Sequence, residues 1–226
     1  RWLDAHELMA VNFAANAPEF AELRPERYIL ADPHFFEGLE SDTNVARLWE
    51  RLRGVTWTMT LHVPAMRLDE ARRLTKGSPI RLATFNLTPL EGHKQLTHTL
   101  MERGLGMPRP RNVLIPAIMT AIGEGYGRIY LAGADHSWSR TLSVDDRNRV
   151  LSVQPHFYAD NSKEFDRVAA EYAGYHLHDI LGSLTVAFRS YFEIRDFALR
   201  RGVEILNATP GSFIDAFPRM TPPLDK

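Results

Sequence analysis

Cysteine is absent from the 226 residues of this chain. That excludes disulfide staples, thiolate nucleophiles and cysteine-ligated zinc, and it constrains the compartment only weakly, towards a reducing interior. No apolar run reaches the roughly 18 residues that a membrane helix needs. Charge of one sign is lacking as well: 27 Lys and Arg stand against 28 Asp and Glu, a formal net charge of -1. No global field therefore draws in a polyanion such as nucleic acid. The glycine motifs that cradle phosphates are missing, with no GxGxxG after a strand and no P-loop, and neither GxSxG nor HExxH occurs. The stretch 123–127 (GEGYG) enters a strand rather than leaving one and reads as a turn. The first residue is Arg1, with no signal-peptide pattern behind it, so the sequence reads as a piece of a longer protein.

What is present is ordinary for a folded domain: 44% apolar, 10% aromatic and 24% charged residues. A chain of this length can bury about 70% of its unfolded surface in one core. Six short apolar stretches read as strands: 8–13 (LMAVNF), 28–31 (YILA), 56–63 (TWTMTLHV), 80–85 (IRLATF), 128–132 (RIYLA) and 203–206 (VEIL). Stretches of helical period lie between them, at 45–53, 68–74, 94–103, 113–124 and a long region from 163 to 201. In the last, Leu181, Leu184, Phe188, Tyr191, Ile194, Ala198 and Leu199 form one apolar stripe, and Gly202 stands where a C-cap belongs. Three strands are nearly continuous hydrophobic runs, as in parallel sheets covered on both faces. The class is α/β. Residues 107–110 read as a loop and 221–226 as a frayed tail.

In open α/β sheets ligands bind beyond the carboxyl ends of the strands. That rule selects four polar clusters: Asn12 and Asn16; Asp32-Pro33-His34; Ala134-Asp135-His136-Ser137-Trp138; and 207–212 (NATPGS). Asp135, His136, Ser137 and Trp138 could bind and polarise a ligand; the plainer account is an Asx turn with a half-buried tryptophan. Asp32 suits a sugar hydroxyl and also the cap of the next helix, two roles that are compatible. His34 reads more simply as a surface residue. His156 and Tyr158 could reach a departing phosphate, or belong to a packed lid segment. His176 and His178 make a poor metal pair; one of them could act as a base, against the default of a surface cluster at a helix start. Thr209, Gly211 and Ser212 offer a ligand-contact loop, with Ser212 capping a following helix and Gly211 allowing close approach. The sequon Asn207-Ala208-Thr209 reads as accidental.

Four segments in this order, MAVNF, YILADPHFF, the helix leading into GYGRIYLAGADHSW, and VEILNATPGSFIDAF, resemble the bacterial CMP-sialic acid-dependent sialyltransferases that decorate lipooligosaccharide. They are similar also to the related motility-accessory glycosyltransferases and pterin diphosphokinase-like proteins. The resemblance implies one Rossmann-like domain over 1–226, with a smaller helical and loop lid at 139–180. It also implies an opening strand with a glycine-rich nucleotide loop ahead of Arg1. It places Asn12 and Asp32 against donor nucleotide and sugar, Asn112 at the start of the central helix, and Asp135 at the family's acidic position. His136, Ser137 and Trp138 replace the aromatic and tyrosine residues that steady the leaving phosphate. His178 is the nearest match to the lid histidine that acts as base, and His156 competes with it.

The implied chemistry is transfer of a nonulosonic acid from a CMP-activated donor to a surface glycan or glycoprotein, as in lipopolysaccharide or capsule synthesis. Such a donor leaves as a monophosphate, so no metal is needed, in keeping with the absence of a DxD motif. The implied location is cytoplasmic; peripheral attachment to the inner membrane and homo-oligomerisation stay open. A rival reading is a pterin-type diphosphokinase using ATP and Mg²⁺, with Asp135 and Asp145 or Asp146 around the metal. A third is a non-catalytic domain of a larger glycan-assembly enzyme.

Overall fold

Four of the short apolar stretches become adjacent parallel strands. In the computed structural model, which describes residues 2–152 and 174–223, β1 (Met9–Val11), β2 (Arg27–Ile29), β3 (Thr60–Pro64) and β4 (Arg81–Phe85) form one sheet in that order. The connections carry α1 (Phe20–Leu23), α2 (His34–Glu37), α3 (Thr43–Arg53) and α4 (Leu68–Leu74). α3 forms because Val45, Leu48, Trp49 and Leu52 fall on one side at helical spacing and all four are buried. Asp42 starts it by accepting the Asn44 N–H. The helix packs its stripe against Tyr28, Leu30, Leu61 and Val63 of the sheet region, which are themselves fully buried. The all-parallel sheet flanked by helices is an α/β architecture consistent with a Rossmann-like fold.

A second core lies around α6 (Leu114–Gly123) and α7 (Leu177–Arg200), with α5 (Lys94–Glu102) preceding them. Here β5 (Arg128–Leu131) pairs in parallel with β8 (Glu204–Asn207). α6 and α7 each end on a glycine in the left-handed region, Gly125 at φ 89° and Gly202 at φ 68°. In both turns the next residue's N–H returns to a carbonyl five residues back, Tyr126 to Ala121 and Val203 to Ala198. β5 and β8 form a two-stranded sheet of their own. β5 comes to the β1 side of the sheet, where the rings of Trp2 and His6 pack edge-on against Tyr130 at 5.2 and 5.0 Å. The return of the chain from β4 to the β1 side matches the kind of switch point at which α/β folds open a crevice.

At the amino end of the strands a charged network joins the two halves. Arg27 of β2 donates to Glu124, just past α6, at 2.5 Å and to Glu7 at 2.9 Å, and its guanidinium lies 4.9 Å over the Tyr126 ring. Tyr126 in turn meets Glu7 through its hydroxyl. The buried His62 of β3 stands 3.3 Å from Glu124.

The strands fall where expected, with their ends trimmed or shifted: 28–31 becomes Arg27–Ile29, 56–63 becomes Thr60–Pro64 and 203–206 becomes Glu204–Asn207. The stretch 56–63 pairs only from Thr60 onward, because Trp57 turns aside to donate its indole N–H to the Pro25 carbonyl and packs on Phe20. After β5 the chain also forms a hairpin that alternation did not reveal, β6 (Leu142–Val144) against β7 (Val150–Ser152). Asn148 at φ 59° and the Asp145 carboxylate, which accepts from Arg147 N and Arg149 N, build its turn. α7 begins at Leu177, where the Asp179 carboxylate accepts the His176 N–H. No helix follows Ser212: its hydroxyl is spent inside the core, and Phe213 N–H bonds the Asp135 carbonyl instead. Among the described residues no helix is long and apolar enough to cross a membrane.

Candidate functional site

The carboxyl ends of β1, β2 and β5 open into one cavity of about 1050 Å³, at the upper end of the roughly 300–1,000 Å³ usual for small-ligand sites. Seven of the residues selected from the sequence line it: Asn12, Asp32, Asn112, Asp135, His136, Ser137 and Trp138. Their segments are far apart in the chain. His34 and Arg111 join them, and the N-terminus of α6 faces the same space through Asn112, Val113 and Leu114.

Each wall has a local cause. Asn12 takes a left-handed conformation, φ 51°, at the point where β1 turns into a short 3-10 segment. The buried Tyr28 hydroxyl fixes that turn, donating to the Asn12 carbonyl at 2.5 Å and accepting the Ala15 N–H at 2.9 Å. Asn16 faces away, its side-chain amide donating to the Asn44 carbonyl. Asp32 accepts the His34 N–H at 2.8 Å in a turn that leads into α2, whose N-cap position is held by Pro33, and remains exposed at the cavity. Asp135 accepts from Ser137 Oγ and from the His136 N–H, both at 2.8 Å. These bonds hold its carboxyl below the ordinary range, with the serine hydroxyl contributing most.

His136 is the best buried of the polar side chains lining the cavity, 9% exposed and left-handed at φ 50°. Its Nε2 lies 2.9 Å from the Tyr191 hydroxyl, which lies 2.9 Å from Asn112 Oδ1. Asn112 Oδ1 also accepts the Leu114 N–H at 3.0 Å, the first N–H of α6. His136 Nδ1 and Asn112 Nδ2 are sealed from water without a well-formed hydrogen bond. Burial pushes the imidazole down to about 4, against the smaller upward pull of the Ala134 backbone and the Asp135 charge. Burial likewise raises the Tyr191 hydroxyl, opposed by its bond to Asn112.

The remaining predicted residues lie elsewhere. Thr209 and Ser212 are buried and do not line the cavity. Thr209 Oγ1 accepts the Ala134 N–H and donates to the Leu131 carbonyl. Ser212 Oγ donates to the Ala134 carbonyl at 2.6 Å and accepts from Asn207 Nδ2. They brace the loop that carries Asp135 and His136 rather than face a ligand. Gly211 is exposed at φ 68° with open space around it, so it serves a turn and not a close approach. His178 is 80% exposed at the start of α7, stacked on His176 and 3.4 Å from Asp179, a surface cluster outside the cavity. His156 and Tyr158 lie outside the described residues. Asp145 is held by Arg149 in the hairpin turn, and among the described residues no three His, Asp or Glu side chains gather as a metal site.

Two residues escaped the sequence reading. Tyr191 counted only as part of an apolar stripe, although a phenol in the middle of such a stripe must find a polar partner. Arg111 sits one residue before Asn112 and brings a cation to the cavity. Comparison with family models, curated proteins and solved structures gave no match.

Proposed function

We propose that the chain is a nucleotide-sugar glycosyltransferase domain that takes a CMP-activated nonulosonic acid and passes it to a surface glycan or glycoprotein. The observation that supports this reading is the convergence of Asn12, Asp32, Asn112 and the 135–138 loop on one crevice at the strand ends. Asn12 and Asp32 suit the hydroxyls of ribose and sugar. The N-terminus of α6 and Arg111 suit the phosphate, where helix dipole and guanidinium both favour the charge that grows as the nucleotide departs. Asp32 and Asp135 are fixed negative charges of the kind that steady an oxocarbenium-like centre; the depressed Asp135 carboxyl stays ionised near neutrality.

The test is a thermal-shift titration of the complete protein with CMP and CMP-linked sugars. The proposal expects saturable stabilisation by CMP without added metal, weakened by Arg111→Ala. A melting temperature unmoved by every CMP compound tried would remove it.

A further inference from the structure

We infer that His136 is a positioning residue that holds Trp138 as a stacking wall for the planar base of a nucleotide, and that Tyr191 locks its imidazole in one tautomer. The choice of ligand rests on the nucleotide-sugar reading above; the tautomer rests on hydrogen bonds alone.

The protons can be counted from the Asn112 end. Asn112 presents its oxygen to the Leu114 N–H, so the Tyr191 hydroxyl beside the same oxygen must donate to it. A phenol has one proton. The contact between Tyr191 and His136 Nε2 therefore needs a proton from the imidazole, and the neutral ring carries its hydrogen on Nε2. Nδ1 is then unprotonated and sealed from water, although the Ala134 carbonyl beside it pulls towards a proton there. Neither nitrogen can exchange a proton with a ligand while the ring keeps its place, and burial disfavours the imidazolium.

The ring does have a contact that reaches the cavity. Its centroid lies 4.2 Å from that of Trp138, edge to face, while Tyr191 meets its other side at 5.6 Å and 88°. Phe188 of α7 backs the indole at 6.2 Å. Trp138 is half-buried and lines the cavity, and among the described residues its indole N–H has no hydrogen-bond partner. The left-handed backbone of His136 is unfavourable for a residue with a β-carbon and persists only where the surroundings impose it. A braced indole that lines the cavity is a platform for a heterocycle, because every nucleobase offers a π-face.

Long-range proton–nitrogen correlation on protein carrying ¹⁵N-histidine reads the tautomer directly, His136→Gln identifying the signal. The expected result is a protonated Nε2 and a bare Nδ1, unchanged over about pH 5.5–8, with Tyr191→Phe giving a tautomer mixture. A His136 that is protonated on Nδ1, or that titrates in that window, overturns the assignment. Calorimetry with CMP reads the stacking: Trp138→Leu should weaken binding about 10-fold, Trp138→Phe much less, and Tyr191→Phe should weaken it with a flat pH profile. Trp138→Leu binding CMP as tightly as wild type overturns the platform. Wild-type protein that binds no CMP removes the nucleotide reading and the base stack together, whereas a wrong tautomer with intact CMP binding removes only the positioning role.

Discussion

Replacing Thr209 by valine keeps the shape of the side chain and deletes one hydroxyl. That hydroxyl accepts the Ala134 N–H at 3.0 Å and donates to the Leu131 carbonyl at 3.2 Å, in a residue 8% exposed. The Leu131 carbonyl keeps the Ala208 N–H at 2.8 Å, so Thr209→Val orphans one group, the buried Ala134 N–H. Such an orphan costs roughly 1–3 kcal/mol. For a chain of this size each kcal/mol moves the melting temperature by about 2–4 °C, so a cost near 2 kcal/mol lowers it by roughly 4–8 °C. Urea denaturation and calorimetry of Thr209→Val beside Thr209→Ser separate the two contributions, since serine loses the methyl and keeps the hydroxyl. Ser212→Ala removes the donor to the Ala134 carbonyl, so the double variant should couple by about 0.5–3 kcal/mol, because both hydroxyls hold the backbone of Ala134, one from each side. If Thr209→Val is as stable as wild type, or Thr209→Ser suffers the greater loss, the bracing argument is refuted.

Two further outcomes are expected. Burial lowers the proton affinity of His136, and likewise of His62 and His98. Between about 6.5, the unfolded value, and about 4, the value of His136, the unfolded chain therefore binds more protons than the folded one. Stability present above pH 6.5 is lost as pH falls through that window, roughly 3 kcal/mol of it from His136, and denaturant melts of His136→Gln should follow a shallower pH slope. At Asn12, held at φ 51°, glycine removes the backbone strain while valine aggravates it, so Asn12→Val should be less stable than Asn12→Gly by about 1–2 kcal/mol in thermal melts. Equal stabilities would show that the turn relaxes.

The parallel sheet was legible because it rests on local pattern. YILA and the IYLA that follows Arg128 are uninterrupted apolar runs, and Val45, Leu48, Trp49 and Leu52 repeat at helical spacing. The convergence of Asp32 with Asp135 followed from one rule about strand ends. What the pattern missed depends on side-chain partners distant in the chain. Ser212 looked like a helix cap because a serine after a strand often is one; its actual partner, the Ala134 carbonyl, lies 78 residues away. Tyr191 has the same spacing as its apolar neighbours, and only the fold reveals that its hydroxyl meets Asn112 and His136. The β6–β7 hairpin has three-residue strands, with Leu142 half-buried and Ser143 and Val144 exposed, too short for alternation to register.

The link at the strands' amino end sets how the molecule responds to electrolytes. Arg27, with its side chain 23% exposed, joins Glu7 at 54% and Glu124 at 29%, so dissolved ions reach the exposed Glu7 arm and screen the partly buried Glu124 arm much less. The two apolar cores on either side of it respond oppositely, since sulfate and similar excluded salts tighten burial. Sodium chloride should therefore weaken mainly the outer, Glu7 arm of the rivet while each half stays packed, whereas sulfate should tighten the two cores as well.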